Sequence, residues 1–294
     1  MKVAIALVSL AASLGPLGAA AQDGPPAIGE PREAAGLESA AGVSAALRWA
    51  DLPGGGHLAA LRITSSGARG LRAGIRVGGI PRDAILRFYA PGEAGSRDVP
   101  AATVLDALAR NRDAGESGPD ARTWWSPVVA GDTLILEIEL APGAAPASLA
   151  IAVPSVSHLR EWPGSGDAQE GDATHAVALV TSGGATRACE GTLVASPLRS
   201  SRRYFLAESR CVSTQSEASS LQAFWPRGAS GVGARLLYVS ADTDTAFLAL
   251  DSPPPVEVPV SAAALERLDP ALEQWLGRAA ASRASGPPGT FSSP

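Results

Sequence analysis

Six short apolar segments follow one another between His175 and Asp251, with too few residues between them to form crossover helices. Parallel strands need a connection of a dozen or more residues, so these segments are expected to pair as antiparallel strands. Closing such strands into a barrel removes the exposed edges at which sheets associate. The sequence therefore predicts a small six-stranded antiparallel barrel from the segments 175–181, 187–195, 203–211, 220–227, 234–240 and 244–251.

A second set of strand patterns precedes this barrel. The clearest is "TLILEIEL" (133–140), in which four apolar residues share one face while Glu137 and Glu139 lie on the other. A period of two with acidic residues outward indicates a strand with one solvated face. Similar patterns occur in the segments 57–64, 70–77, 84–90 and 148–154.

These segments predict an antiparallel β-sandwich over residues 43–160, and hence an all-β chain that ends in a helix. One segment leaves an alternative open, because "ATVLDALARNR" (102–112) places Val104, Leu105 and Leu108 at helical spacing. Trp124 and Trp125 are expected to pack in the sandwich, with carbohydrate stacking as the alternative.

Composition narrows the class of protein. The chain has 294 residues, of which 46% are hydrophobic and 18% charged, with 32 Gly and 24 Pro, so it is long enough for two globular domains rich in turns. Its net charge of −5 implies no basic face, and we expect no nucleic-acid partner. No cluster of cysteine and histidine has metal spacing and no glycine-rich phosphate loop occurs, so no metal or cofactor is expected.

The amino terminus resembles an export signal. Met1-Lys2 is a short positive region, Val3–Leu10 is apolar, and Ala19-Ala20-Ala21 offers the small residues that precede signal cleavage. We predict cleavage after Ala21, which would make the protein secreted or periplasmic. A membrane anchor is the alternative, but polar residues and Pro16 interrupt the apolar run, and no later segment is apolar enough to span a bilayer.

The other boundaries follow from composition. Residues 22–42 are rich in Pro and Gly and predict a flexible leader, and residues 161–174 predict a linker. After the barrel region (175–260), residues 261–281 predict a C-terminal helix, with Asp269 as its N-cap and Pro270 in its first turn. Residues 282–294 predict a disordered tail.

The two cysteines, Cys189 and Cys211, predict one disulfide, because an even number in an exported chain favours oxidation. Two reduced, buried thiols are the alternative. The bridge would close a loop of 21 intervening residues.

Three motifs in the barrel region resemble the first half of a trypsin-like serine protease of the bacterial lysyl endopeptidase type. They are "ACEGTLVA" (188–195), "YFLAESRC" (204–211) and "DTAFLALD" (244–251), in the order that the family has them. The resemblance covers about residues 175–260, and an unrelated secreted barrel with one disulfide is the alternative. More weakly, "WWSPVVAGDTLILEIEL" (124–140) resembles the region that precedes the protease domain in such enzymes.

The resemblance implies a degenerate triad. Asp244 falls at the catalytic aspartate, and Arg210 falls where the family has its catalytic histidine. A guanidinium stays charged and has no acceptor atom, so Arg210 cannot remove a proton from a serine hydroxyl. The three histidines His57, His158 and His175 lie far from this position in sequence and are expected to serve packing or the surface.

The nucleophile is also expected to be missing, because the family places it in a second barrel. The loosely similar "GASG" (228–231) precedes Asp244 and is expected to form a turn, and "GSGD" (164–167) belongs to the predicted linker.

We therefore expect a secreted, catalytically inactive homologue of a trypsin-like endopeptidase that binds or regulates an extracellular or periplasmic protein or peptide. A remnant gene product and a hydrolase of another mechanism are the alternatives.

Two structural expectations follow. Arg210 should pair with Asp244, unless Asp242 competes for it or Arg210 points into solvent. A C-terminal apolar stripe should cover the barrel face that the second barrel would otherwise bury, and it consists of Leu265, Leu268, Leu272, Trp275 and Leu276.

Overall fold

A computed structural model describes residues 24–162, 175–194, 204–225, 230–252 and 270–284. The predicted signal peptide, most of the predicted linker and most of the tail lie outside these residues, as do the first half of "GASG" and the two leucines at 265 and 268. The second half of "GASG", Ser230-Gly231, begins a strand (Ser230–Val232), so the prediction of a turn is wrong for these two residues. No helix within the described ranges is long and apolar enough to cross a membrane.

The N-terminal part contains ten strands and two α-helices, with short 3₁₀ turns at Asp120–Arg122 and Pro146–Ser148. The strands are β1 (Ala27–Glu33), β2 (Ala50–Asp51), β3 (His57–Thr64), β4 (Gly70–Gly79), β5 (Ile85–Tyr89), β6 (Arg97–Pro100), β7 (Thr123–Trp125), β8 (Val129–Ala130), β9 (Thr133–Leu140) and β10 (Ala150–Leu159). The helices are α1 (Ala40–Ala46) and α2 (Ala101–Asp113).

Two antiparallel sheets enclose the N-terminal core, as predicted for a sandwich. One sheet has the order β2-β3-β9-β5-β6, and the facing one includes β1, β10, β4 and the short strands β7 and β8. The alternating pattern of β9 determines which face of the strand is buried. Its four apolar residues on that face are completely inaccessible to solvent: Leu134, Leu136, Ile138 and Leu140. They pack against residues of β4 and β10 and against α2.

Residues 101–113 form α2, so the helical alternative for this segment is confirmed. Its apolar residues at helical spacing bury Val104 and Leu108 against the sandwich core. Trp124 and Trp125 are each only 3% exposed, and the Trp124 ring lies 5.8 Å from that of Phe88. The packing role predicted for the paired tryptophans is therefore the one observed.

The prediction of a flexible leader over 22–42 is wrong for most of its length. Residues 27–33 form β1, and Ser39 caps the first turn of α1 by accepting a hydrogen bond from the Gly42 amide. β1 pairs with β10 on one side and with β12 (Ala185–Val194) on the other. Local composition missed this strand because its ladders are made with partners more than 120 residues away in the chain.

The C-terminal part contains all six predicted strands and one more. They are β11 (His175–Ser182), β12, β13 (Tyr204–Ala207), β14 (Gln222–Phe224), β15 (Ser230–Val232), β16 (Ala234–Ser240) and β17 (Thr245–Leu250). Because β1 connects β10 with β12, both parts of the chain share one continuous antiparallel sheet.

The predicted barrel is curled, but its ladder does not close in the described part of the chain. The strand order is β15-β14-β11-β12-β13-β17-β16, and all of these pairings are antiparallel. β15 and β16 lie at opposite ends of this order but are separated in the chain by Gly233 alone, whose φ of +79° breaks the strand. The two ends of the sheet therefore meet at a kink rather than at a hydrogen-bonded ladder.

Two helices accompany this sheet, α3 (Gln215–Ser220) and α4 (Pro270–Ala284). α3 begins with a complete capping box between Thr214 and Glu217. In α4, Leu272 and Leu276 are buried and Trp275 is partly buried against aromatic residues of β13 and β17. These three residues of the predicted stripe therefore cover part of the sheet, and that this face would otherwise meet a second barrel stays a prediction.

Candidate functional site

The strands β12 and β13 meet in an antiparallel ladder that aligns Gly191 with Ala207. Cys189 lies within β12 and Cys211 lies in the turn that follows β13, and they form a disulfide with a Cα–Cα distance of 6.2 Å. The predicted bridge is confirmed. It ties the end of the loop formed by residues 208–210 to β12, and both cysteines are almost completely inaccessible to solvent.

Gly191 of the motif "ACEGTLVA" is required by packing rather than by backbone conformation. A Cβ atom at this position would overlap the ring of Phe205 and lie 2.9 Å from the carbonyl oxygen of Leu206. The missing side chain leaves the space that the completely buried ring of Phe205 occupies. This explains why the motif has glycine two residues after the half-cystine.

Asp244 is brought to the site by the pairing of β17 with β13, which aligns Ala246 with Ala207. Asp244 directly precedes β17, and residues 208–210 directly follow β13, so the two loops meet at the same end of the ladder. Asp244 has a φ of +47°, a region that non-glycine residues seldom occupy but that aspartate and asparagine tolerate.

The carboxylate of Asp244 accepts hydrogen bonds from both residues of the facing loop. Its Oδ1 accepts from Ser209 Oγ at 3.0 Å and from the backbone amide of Arg210 at 2.9 Å. Its Oδ2 lies 3.3 Å from Nε of Arg210. The predicted ion pair between Arg210 and Asp244 is therefore present.

Arg210 makes its shorter side-chain contacts with Glu208. Nε donates to Glu208 Oε2 at 2.9 Å and Nη2 donates to Glu208 Oε1 at 2.6 Å, which is a two-pronged arrangement. The guanidinium is still half exposed, so the solvent-facing alternative is correct in part. Asp242, the predicted competitor, lies exposed in the turn before β17.

The sequence motif "YFLAESRC" pointed to Arg210 but not to the roles of Glu208 and Ser209. The signal was present, because the run Glu208-Ser209-Arg210 places a carboxylate two residues from the guanidinium. Only the pairing of β13 with β17 shows that Ser209 also reaches Asp244.

Burial shifts the pKa of Asp244 in one direction, and the groups around its carboxylate shift it in the other. Partial burial favours the neutral acid and raises it, but hydrogen bonds from the Arg210 amide and the Ser209 hydroxyl, together with the Arg210 charge, favour the carboxylate. The net result is a pKa below the usual value for aspartate. Asp244 is therefore ionised at neutral pH and already holds donors on its oxygens.

The three histidines contact other partners, which agrees with the roles expected for them. His57 lies 2.9 Å from Asp51, and exposed His175 lies 3.3 Å from the hydroxyl of Thr192. His158 is buried with its Nδ1 2.8 Å from Ser65 Oγ, and burial followed by the charge of Arg32 lowers its pKa.

Comparisons with known proteins identify the family of the chain. The family model "Lysyl endopeptidase N-terminal domain" matches residues 9–160, and "Lysyl endopeptidase, C-terminal domain" matches residues 163–267. The chain is 29% identical to a curated lysyl endopeptidase of Pseudomonas aeruginosa over 259 aligned residues, which covers 72% of this chain and 53% of that protein. It thus spans about half the length of this relative, and no solved structure matches it. Because the first model alone matches more than half of its residues, the chain belongs to the lysyl endopeptidase family.

Proposed function

We propose that this member of the lysyl endopeptidase family is an exported protein without peptidase activity, and that it acts as a binding or regulatory module. The observation that supports this most strongly is Arg210, which directly precedes the half-cystine Cys211. Serine proteases of the trypsin type need a neutral imidazole that accepts the proton of the nucleophile. A guanidinium has five donors and no acceptor.

The contacts around Arg210 support a structural rather than a catalytic role. Glu208 and Asp244 both form ion pairs with the guanidinium of Arg210. Asp244 also accepts hydrogen bonds from the Ser209 hydroxyl and the Arg210 amide. Such a loop is held in one conformation by charge-assisted hydrogen bonds. These contacts support a stable surface here rather than a reactive one.

A direct assay tests the absence of activity. The full chain, purified from an exporting host, is incubated with fluorogenic peptides that end in lysine or arginine, and separately with a serine-directed covalent probe. We expect no cleavage and no labelling by the wild type or by Asp244→Ala. Arg210→His is also expected to stay inactive, with Arg235→His on the exposed part of β16 as its matched control.

Each active outcome has a defined meaning. Cleavage by the wild type that Asp244→Ala abolishes would show a working triad and overturn the proposal. Cleavage that survives Asp244→Ala would instead favour a hydrolase of another mechanism. Export is checked by the amino-terminal sequence of the mature chain, which should begin at Gln22.

A binding role is tested by affinity capture from periplasmic extract and culture medium of the source cells. The bait is the full chain, and the matched bait is a variant with Arg210→Glu and Glu208→Arg, which keeps the ion pair but inverts its charges. A protein or peptide that binds the wild type and not the inverted variant would support recognition at this loop. Equal capture by both baits would exclude the loop as the binding surface.

A further inference from the structure

A groove of about 570 Å³ lies beside α2 in the N-terminal part, well away from Arg210 and Asp244. Its walls come from the ends of β4 and β10, from α2, and from the 3₁₀ turn at residues 120–122. The volume is within the range of about 300–1,000 Å³ that is usual for small-molecule sites.

The floor of the groove is apolar. Leu105 and Leu108 lie on one face of α2, and Ala152 of β10 lies opposite, where the register aligns it with Arg76 of β4. The ladder between β4 and β10 is irregular just beyond Ala152, because the amide of Val153 donates to the carbonyl of Leu37 instead. The irregular part of the ladder therefore begins directly after Ala152, a residue that lines the groove.

Three arginines surround this floor, and they come from three different elements. Arg76 lies on β4, Arg112 lies in the last turn of α2, and Arg122 ends the 3₁₀ turn. All three are exposed, and in the described ranges none of them forms an ion pair with a carboxylate. Arg76 makes one long bond of 3.4 Å to Thr123 Oγ1, and Arg112 makes one of 3.4 Å to the carbonyl of Leu108.

Asp113, which directly follows Arg112, is exposed and does not line the groove, and the next two acidic residues, Glu116 and Asp120, are directed elsewhere. Glu116 accepts hydrogen bonds from the backbone amides of Gln215 and Ser216 at the start of α3. Asp120 accepts from Ser182 Oγ at 2.8 Å and from the amide of Gly183 at 3.0 Å. Both carboxylates are thus used to join the two parts of the chain, and the groove keeps a positive charge although the whole protein is acidic.

We propose that this groove binds a small amphipathic carboxylate, whose anionic group is held by Arg76, Arg112 and Arg122 while its aliphatic part lies on Leu105 and Ala152. Guanidinium groups recognise carboxylates through paired hydrogen bonds, and an adjacent apolar floor favours a ligand that carries an alkyl group next to its charge. A fatty acid and the C-terminal carboxylate of a short apolar peptide both have this chemistry. The proposal does not depend on whether the protein is catalytically active.

Isothermal titration calorimetry with the full chain tests the site with two matched pairs of probes. The first pair is octanoate and its neutral amide, and the second is acetyl-Leu-Leu with a free carboxylate and the same peptide as an amide. We expect saturable binding of one carboxylate per chain and binding of each amide at least about tenfold weaker, because charged hydrogen bonds are lost.

Variants locate the site. Arg76→Gln, Arg112→Gln and Arg122→Gln are tested singly and together, with Arg62→Gln on the exposed face of β3 as the control. The triple variant should bind at least about tenfold more weakly, while the control should bind as the wild type does. Thermal unfolding followed by circular dichroism confirms that each variant is folded, which is expected because all four side chains are exposed.

The outcomes separate the two sources of ligand. Binding of octanoate alone supports a fatty acid, binding of the peptide acid alone supports a peptide terminus, and binding of both supports the shared chemistry. No saturable binding of either acid, equal binding of acid and amide, or unchanged affinity in the triple variant would overturn the proposal.

Discussion

Arg72 of β4 donates a hydrogen bond of 2.6 Å from its guanidinium to Thr181 Oγ1 of β11, across the boundary between the two parts of the chain. The same buried side chain donates to the carbonyls of Ser126 and Ser220 at 2.8 and 2.6 Å. Thr181 is bonded in turn to Thr186 at 2.7 Å. The Arg72 guanidinium thus donates only to neutral oxygen atoms and has no carboxylate partner among the described residues. Its hydrogen bonds join the sandwich to the curled sheet.

Burial lowers the pKa of Arg72 to about 9, so the guanidinium remains protonated at neutral pH. We expect Arg72→Ala to lower the free energy of unfolding by about 3 kcal/mol or more, since it leaves a cavity and buried acceptors without donors. Arg72→Met should cost less, because it fills the volume and removes the cost of burying a charge. Urea denaturation measures both, and an Arg72→Ala protein as stable as the exposed-site control Arg62→Ala would contradict this account.

Asp244 should stabilise the fold in a pH-dependent way. Its folded-state pKa lies below the usual value for aspartate, so its stabilisation is fully present above that usual value and is lost as the pH falls through the lower folded-state pKa. Asp244→Asn keeps an acceptor and tolerates the φ of +47° but carries no charge. The difference in unfolding free energy between wild type and Asp244→Asn, measured by urea denaturation from pH 6 to pH 3, should shrink toward the acidic end. A constant difference would show that the charge of Asp244 has no role.

Gly191→Ala should destabilise the protein by about 1–3 kcal/mol, because the new methyl group has to displace Phe205 or the adjacent backbone. Gly277→Ala is the matched control, since nothing lies within 4 Å of that position in α4 and alanine favours helix more than glycine does. Thermal and urea unfolding compare the two. Adding Phe205→Leu to Gly191→Ala should recover part of the loss, and strict additivity of the two changes would argue against the overlap.

Removal of the disulfide by Cys189→Ala together with Cys211→Ala should cost about 3 kcal/mol, as expected for a loop of this length. The measurement is guanidinium denaturation with and without reductant. Reductant should destabilise the wild type by a similar amount and leave the double variant unchanged. If the wild-type unfolding free energy stayed the same in reductant while its thiols became titratable, the bridge would contribute nothing to stability.

The C-terminal helix should be needed for the solubility of the sheet that it covers. Leu272 is completely buried beside Phe247 and Tyr204, whose rings stack 5.1 Å apart. We expect Leu272→Ser to release α4, with loss of hydrogen-exchange protection over residues 270–278 and stronger binding of a hydrophobic dye. Glu273→Ser on the exposed face is the control. Unchanged protection in Leu272→Ser would mean that the helix is held by other contacts.

The sequence alone determined the features that depend on near neighbours or on side-chain chemistry. Short apolar segments located six of the seven strands described in the C-terminal part, alternation located β9, and the spacing of Val104, Leu105 and Leu108 allowed the helix α2. The absence of an acceptor atom on Arg210 follows from its identity and needs no coordinates. These conclusions rest on periods of two or about four residues, which a local window contains.

Tertiary structure decided whatever depends on pairing between distant segments. β1 looked like a leader because its ladders are formed with β10 and β12, and no local pattern specifies such partners. Ser209 reaches Asp244, and Arg72 reaches Thr181, only because antiparallel pairing and sheet continuity bring residues from opposite ends of the fold together. The physical reason is that hydrogen bonds and charge pairs act over a few ångströms in space, whatever the separation of the residues along the chain.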